Sequence, residues 1–120
     1  MIQVEADTSD QLLLKTALNY SEDIVYVWID VQGYEGYVFK GAEKIFDKST
    51  SVVSEIWPYG IHRVGMSKDE FCDIVKRRWT DFWVFKNGRF IHHKIDDFFS
   101  FCEDLELNGY FECCLCGLKV

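Results

Sequence analysis

The chain has a single proline, 13 basic residues against 20 acidic ones, and no long hydrophobic run. Each shortage excludes something. With a formal charge of −7, and Lys76, Arg77 and Arg78 as its one compact basic cluster, the chain offers no footprint for a phosphate backbone, so no nucleic-acid partner is expected. Nothing approaches the roughly 20 apolar residues of a membrane span, and MIQVEADTSD at the N-terminus has neither the basic flank nor the apolar core of a signal peptide. The expectation is a cytoplasmic protein without a membrane partner. Five cysteines, an odd number, do not form a secreted disulfide framework, so reduced thiols are the default. Internal repeats, low-complexity segments and long linkers are absent as well.

What is present is apolar and aromatic. At 120 residues the chain reads as one α/β domain, residues 1–120, and with 48% hydrophobic and 17% aromatic residues it has ample surface to bury. Ten Phe, six Tyr and four Trp exceed what one small sheet covers, and a leftover patch would favour self-association or a partner.

The chain is organised around residues 25–43, VYVWIDVQGYEGYVFKGAE. The β-branched and aromatic run at 25–31 reads as a strand buried on both faces, the habit of parallel sheets. Asp30 interrupts it, Gly33 and Gly36 permit a tight turn, and Val38, Ala42, Ile45 and Phe46 recur at helical spacing. The acid therefore sits where strand hands over to helix, the place where open α/β sheets bind ligands.

The flanking segments are read by the same rules. Residues 2–5 start a short strand, and Thr8 and Gln11 stand in capping-box spacing ahead of Leu14, Ala17 and Leu18. A second strand at 52–57 completes a βαβ unit, which brings Asp30 and Glu55 to neighbouring carboxyl ends about 4.8 Å apart. Pro58 ends that strand, and Gly60 and Gly65 bracket a loop carrying His62 and Arg63. Ser67 and Glu70 form another capping box, before a helix with Phe71, Ile74, Val75 and Trp79 on its buried stripe that ends near Arg78. Asn87-Gly88 between WVFK and RFIH signals a two-residue hairpin. A helix over 95–107, stopped by Gly109, and a strand over 111–118 close the chain.

At Asp30, Gly33, Glu35, Lys40, Gly41, Ala42 and, one spacer later, Glu55, the sequence resembles the second half of an FkbM-type S-adenosylmethionine-dependent methyltransferase. That family carries an Asp-x-Glu-Gly-x-Glu turn, a Leu-Lys-Gly-Ala-like helix and a strand ending in Glu; here Gln32 replaces the commoner Glu. The match covers roughly residues 24–60. The resemblance implies a three-layer, mainly parallel sheet with helices on both faces and one hairpin, like the second half of a Rossmann-like methyltransferase. It implies S-adenosylmethionine as cofactor, with Gln32, Gly33 and Glu35 at its edge, and a small-molecule or sugar hydroxyl as acceptor. Asp30 and Glu55 would serve that hydroxyl as base or orienting pair, since it must lose its proton as it attacks. Tyr59 and His62 would bind the substrate.

Other readings stay open. Asp30 is equally a turn former, Glu35 a partner of the helix dipole, and two strand-end acids also suit a hard divalent cation. His92 and His93 point to opposite strand faces, and Cys114 and Cys116 share a face opposite Cys113 without a second Cys or His pair, so no metal site is expected. The eight glycines include no G-x-G, so the glycine-rich front half of such a fold is missing. A homo-oligomer, or a chain supplying that half, is the expected partner. The alternative is a non-enzymatic α/β remnant that associates through its sheet edge or aromatic surface.

Overall fold

A computed structural model describes residues 3, 6–15, 26–43 and 50–118. The expected strand at 2–5 and the helical positions Ala17, Leu18, Ile45 and Phe46 lie outside these residues, apart from Gln3. Thr8 caps the first helix, α1 (Ser9–Leu14), its Oγ1 accepting from the Gln11 N–H at 3.1 Å. Strand β1 (Tyr26–Ile29), helix α2 (Glu35–Gly41) and strand β2 (Ser51–Ile56) form the βαβ unit, with β1 parallel to β2.

The chain then departs from the expected loop. Residues 61–63 continue a short helix, α3 (Pro58–Arg63), which Val64 caps, because Pro58 at the first helical position starts it rather than merely ending β2. Ser67 caps α4 (Lys68–Arg78), accepting from the Glu70 N–H at 3.1 Å, and α4 passes without a loop into β3 (Trp79–Lys86). Asn87 (φ 54°) and Gly88 (φ 78°) then turn the chain into β4 (Arg89–Lys94), both in the left-handed region that a type I′ turn demands. The helix expected over 95–107 is shorter: a 3₁₀ turn (Ile95–Asp97) and α5 (Phe98–Glu103), with Leu107 left 83% exposed. Strand β5 (Phe111–Leu118) closes the chain.

The sheet corrects the expected architecture. Its order is β1-β2-β5-β3-β4, and only β1 with β2 is parallel; β2 with β5, β5 with β3 and β3 with β4 are antiparallel. The reason lies in the connections. A two-residue turn can join only antiparallel strands, and β5 returns into the gap between β2 and β3, running against both. It is therefore a mixed, mostly antiparallel sheet, with the described core on one face and no third layer among the described residues.

The packed face carries Val52, Ile56, Phe82, Val84, Phe111, Cys113 and Leu115, all buried. Helices α2, α4 and α5 supply Phe39, Phe71, Val75, Phe98 and Cys102 against them, with Phe39 stacked on Phe71 at 5.8 Å and Phe98 edge-on to Phe82 at 5.2 Å. The opposite face is open. Strand β1, expected to be buried on both faces, leaves Tyr26 60% and Trp28 73% exposed, because among the described residues it is an edge strand and nothing from the described core lies over that side.

The one-sided core predicts a contrast between neighbours. Phe82→Ala, emptying a fully buried ring position, should cost about 3–5 kcal/mol in urea denaturation. Trp83→Ala, on the open face, should cost markedly less; equal losses would show that the open face is covered in solution.

Candidate functional site

The site begins with the turn after β1. Asp30 and Val31 leave the strand, Gln32 takes a left-handed φ of 51° and Gly33 a φ of 105°. A side chain at Gly33 would be strained by that angle and would also meet the Gly60 carbonyl of α3 at 2.6 Å. The turn is held from inside by Glu35, only 2% exposed. One of its carboxylate oxygens accepts from the Val31 N–H at 3.3 Å and the other from the Gly33 N–H at 2.9 Å. Both oxygens of this buried charge are thus engaged by backbone donors, the condition under which such burial is tolerated. Outside the turn, Gln32 Nε2 donates to Asp30 Oδ1 at 2.7 Å.

Strand register carries Asp30 to its neighbours. Ile29 pairs with Ser54, which sets Asp30 beside Glu55, and Glu55 pairs with Glu112 of β5. Three carboxylates therefore stand in a row on the open face across β1, β2 and β5. None of them makes an ion pair among the described residues. The Glu55 carboxyl is pushed above its ordinary value by desolvation first, then by the charges of Asp30, Glu112 and Glu35. The row rims a trough of about 390 Å³ lined by Trp28, Val53, Phe85 and Phe90 as well as the three acids.

The remaining expected residues are placed elsewhere. Gln32 borders a neighbouring hollow with Glu55, Trp57, Asn108 and Tyr110. Tyr59 and His62 line a different hollow, of about 290 Å³, with Lys68, Cys102 and Glu103. The structure thus brings Asp30 and Glu55 together and sets Tyr59 and His62 apart from them. Sequence reasoning missed Glu112, Trp28, Phe85 and Phe90. The signal for Glu112 was the alternation of β5, where it is exposed between buried Phe111 and Cys113.

The model of the Methyltransferase FkbM domain matches residues 2–108 of the chain. The chain belongs to this family. Comparison with curated proteins and with solved structures gave no match. Membership makes methyl transfer the class of chemistry to test this FkbM domain against, and S-adenosylmethionine the general cofactor of such enzymes. The described residues do not make a complete cradle for that cofactor. The Gly33 turn closes onto Gly60, Glu35 is engaged by its own turn, and no glycine-rich G-x-G turn exists in the sequence.

Away from the trough, the open face of the FkbM domain holds a compensated acid. Asp81 is bound by Thr80 at 2.5 Å, His92 at 2.6 Å and Lys94 at 3.1 Å, which keeps its carboxyl well below the usual range. The thiols are all free, with Cys113 on the packed face and Cys114 and Cys116 half-buried on the other, as their alternation requires. Among the described residues no three His, Cys, Asp or Glu side chains cluster closely enough to hold a metal ion, and no helix is long and apolar enough to cross a membrane.

Two outcomes follow from this geometry. Glu35→Ala strips one buried and one part-buried N–H group of their acceptor and should cost roughly 2–4 kcal/mol in urea denaturation. Glu55 carries the pH signature. Its folded pKa lies above the ordinary 4.5, so between the two values the folded state binds the extra proton and is favoured; that gain is lost as pH rises through the folded pKa. Denaturation midpoints measured from pH 4.5 to 7 should therefore show a falling component that Glu55→Gln removes.

Proposed function

We propose that this FkbM domain forms the acceptor side of an S-adenosylmethionine-dependent O-methyltransferase acting on a small-molecule or sugar hydroxyl. The observation that supports the reading is the pairing of Asp30 and Glu55 at the carboxyl ends of two parallel strands, over a trough large enough for a small molecule. A hydroxyl about to be alkylated must shed its proton. Glu55, whose carboxyl is raised by desolvation first and then by the neighbouring acids, is the group assigned to take that proton. Asp30, held by Gln32 beside Glu55, helps to position the acceptor, whose one hydroxyl proton goes to Glu55. Gln32 and Gly33 shape the edge toward the cofactor. The incomplete cradle leads to the further proposal that a second copy, or a chain supplying the missing half, completes the cofactor site.

A second reading has its own support. The aromatic open face and the pairing of β1 on one side only among the described residues suit an interaction module that associates through its sheet edge or that face.

Titration with S-adenosylmethionine and S-adenosylhomocysteine, with light scattering alongside, separates the two. Micromolar binding by an assembled species, with methyl transfer falling roughly 10²- to 10⁴-fold in Glu55→Gln, is expected. Undiminished transfer in both Asp30→Asn and Glu55→Gln would remove the pair from the mechanism. An assembly silent to millimolar cofactor would favour the interaction module.

A further inference from the structure

The open face of the sheet is laid out in three rows that register makes explicit. One runs Trp28, Val53, Cys114, Trp83 and His92 across all five strands. The row nearest the α2 turn runs Asp30, Glu55, Glu112, Phe85 and Phe90, and the far row includes Tyr26, Ser51, Cys116, Asp81 and Lys94. The first two rows build the trough. Trp28 on β1 forms one wall, and Phe85 with Phe90, ring centroids 5.1 Å apart, forms the other. Three strand spacings separate β1 from β3, about 14 Å between backbones, which leaves room between the walls for a group several ångströms across. Val53 gives an apolar floor, and Asp30, Glu55 and Glu112 line one side. Among the described residues no Lys, Arg or His lines the trough.

Two features decide what such a trough takes. The first is charge. Three carboxylates without an ion-pair partner among the described residues repel one another, and a cation between them relieves that repulsion. An anion or a neutral apolar group would leave it in place. The second is size. The outer two acids of the row are about 10 Å apart by strand spacing, too far to close on one ion whose ligands sit at about 2.3–2.6 Å. A bulky, weakly hydrated organic cation suits this spacing, since it touches a broad surface and is attracted to aromatic faces.

We infer that the trough between Trp28 and the Phe85–Phe90 pair binds a methylated ammonium group, so that the acceptor of the proposed reaction is a cationic alcohol. The inference rests on the acceptor-side reading for that last step; the cation site itself does not need it. The ammonium lies against Trp28, Phe85 and Phe90 at the Glu112 end of the acid row, with Glu112 as its nearest counter-charge, which leaves the acceptor's hydroxyl beside Glu55 and Asp30.

Choline and tetramethylammonium are the probes, titrated into the full chain by ligand-observed NMR, with dimethylbutanol as the neutral carbon isostere of choline. Saturable binding of both cations is expected, with the isostere at least about tenfold weaker and Trp28→Ala and Glu112→Gln each weakening choline by about three- to thirtyfold. Trp28 and Glu112 are exposed, so both variants should keep the denaturation midpoint of the parent, which separates a binding defect from an unfolded one. Equal binding of choline and its isostere, no saturable choline binding, or full choline affinity in both variants would overturn the cation site. None of these measurements uses the cofactor, so that failure would leave the methyl-transfer test of Asp30 and Glu55 standing. Conversely, cation binding without methyl transfer would retain the site and remove the acceptor role.

Discussion

The buried carboxylate of Glu35 is the constraint on which the site depends. Its two oxygens hold the N–H groups of Val31 and Gly33 and fix a turn whose next two residues, Gln32 and Gly33, take left-handed conformations. Without that grip the turn loses the acceptors for its inward-facing donors and the close approach of Gly33 to Gly60. With it, the turn keeps its form at the end of β1, and strand register carries Asp30 beside Glu55. A charge placed under the turn thus acts through geometry, while Asp30 and Glu55 stand on the other side of the sheet end, at the trough.

The one-sided sheet supplies the rest. The described core lies on one face, so the outward residues of five strands form a broad surface with Trp28, Trp83, Phe85 and Phe90 exposed on it. Polar groups on that surface are treated unequally. Asp81 is fully compensated by Thr80, His92 and Lys94, whereas Asp30, Glu55 and Glu112 have no cation near them among the described residues. Neighbouring acids without a counter-charge repel one another, and the Glu55 carboxyl is raised by desolvation first and by that repulsion second. Proton, cationic ligand and partner surface are three ways of relieving it, and the aromatic walls favour the second.

Local structure was legible wherever the signal was itself local. The Thr8 and Ser67 caps, the Asn87-Gly88 turn, the α4 stripe and the inward and outward alternation of the cysteines each follow from a few adjacent residues, and each is present. The 61–64 segment misled because Gly60 and Gly65 read as loop punctuation, while Pro58 in fact opens a helix and Gly60 packs against Trp57 within it. The strand at 25–31 misled for a different reason. An unbroken apolar run is the mark of a strand covered on both sides, but the same run on a bare edge strand has an identical sequence.

The sequence by itself determined the βαβ unit, the hairpin, the position of Asp30 at a strand end and the family to which the chain belongs, because each rests on neighbouring residues or on motif order. Only the tertiary structure decided that β5 enters between β2 and β3, antiparallel to both, and with it the mixed sheet. That insertion sets Glu112 beside Glu55, and it places Phe85 and Phe90 across a trough from Trp28. It likewise separated Tyr59 and His62 from the acids. Strand order and register depend on contacts between segments tens of residues apart, and no local pattern encodes which of several compatible edges a strand will join.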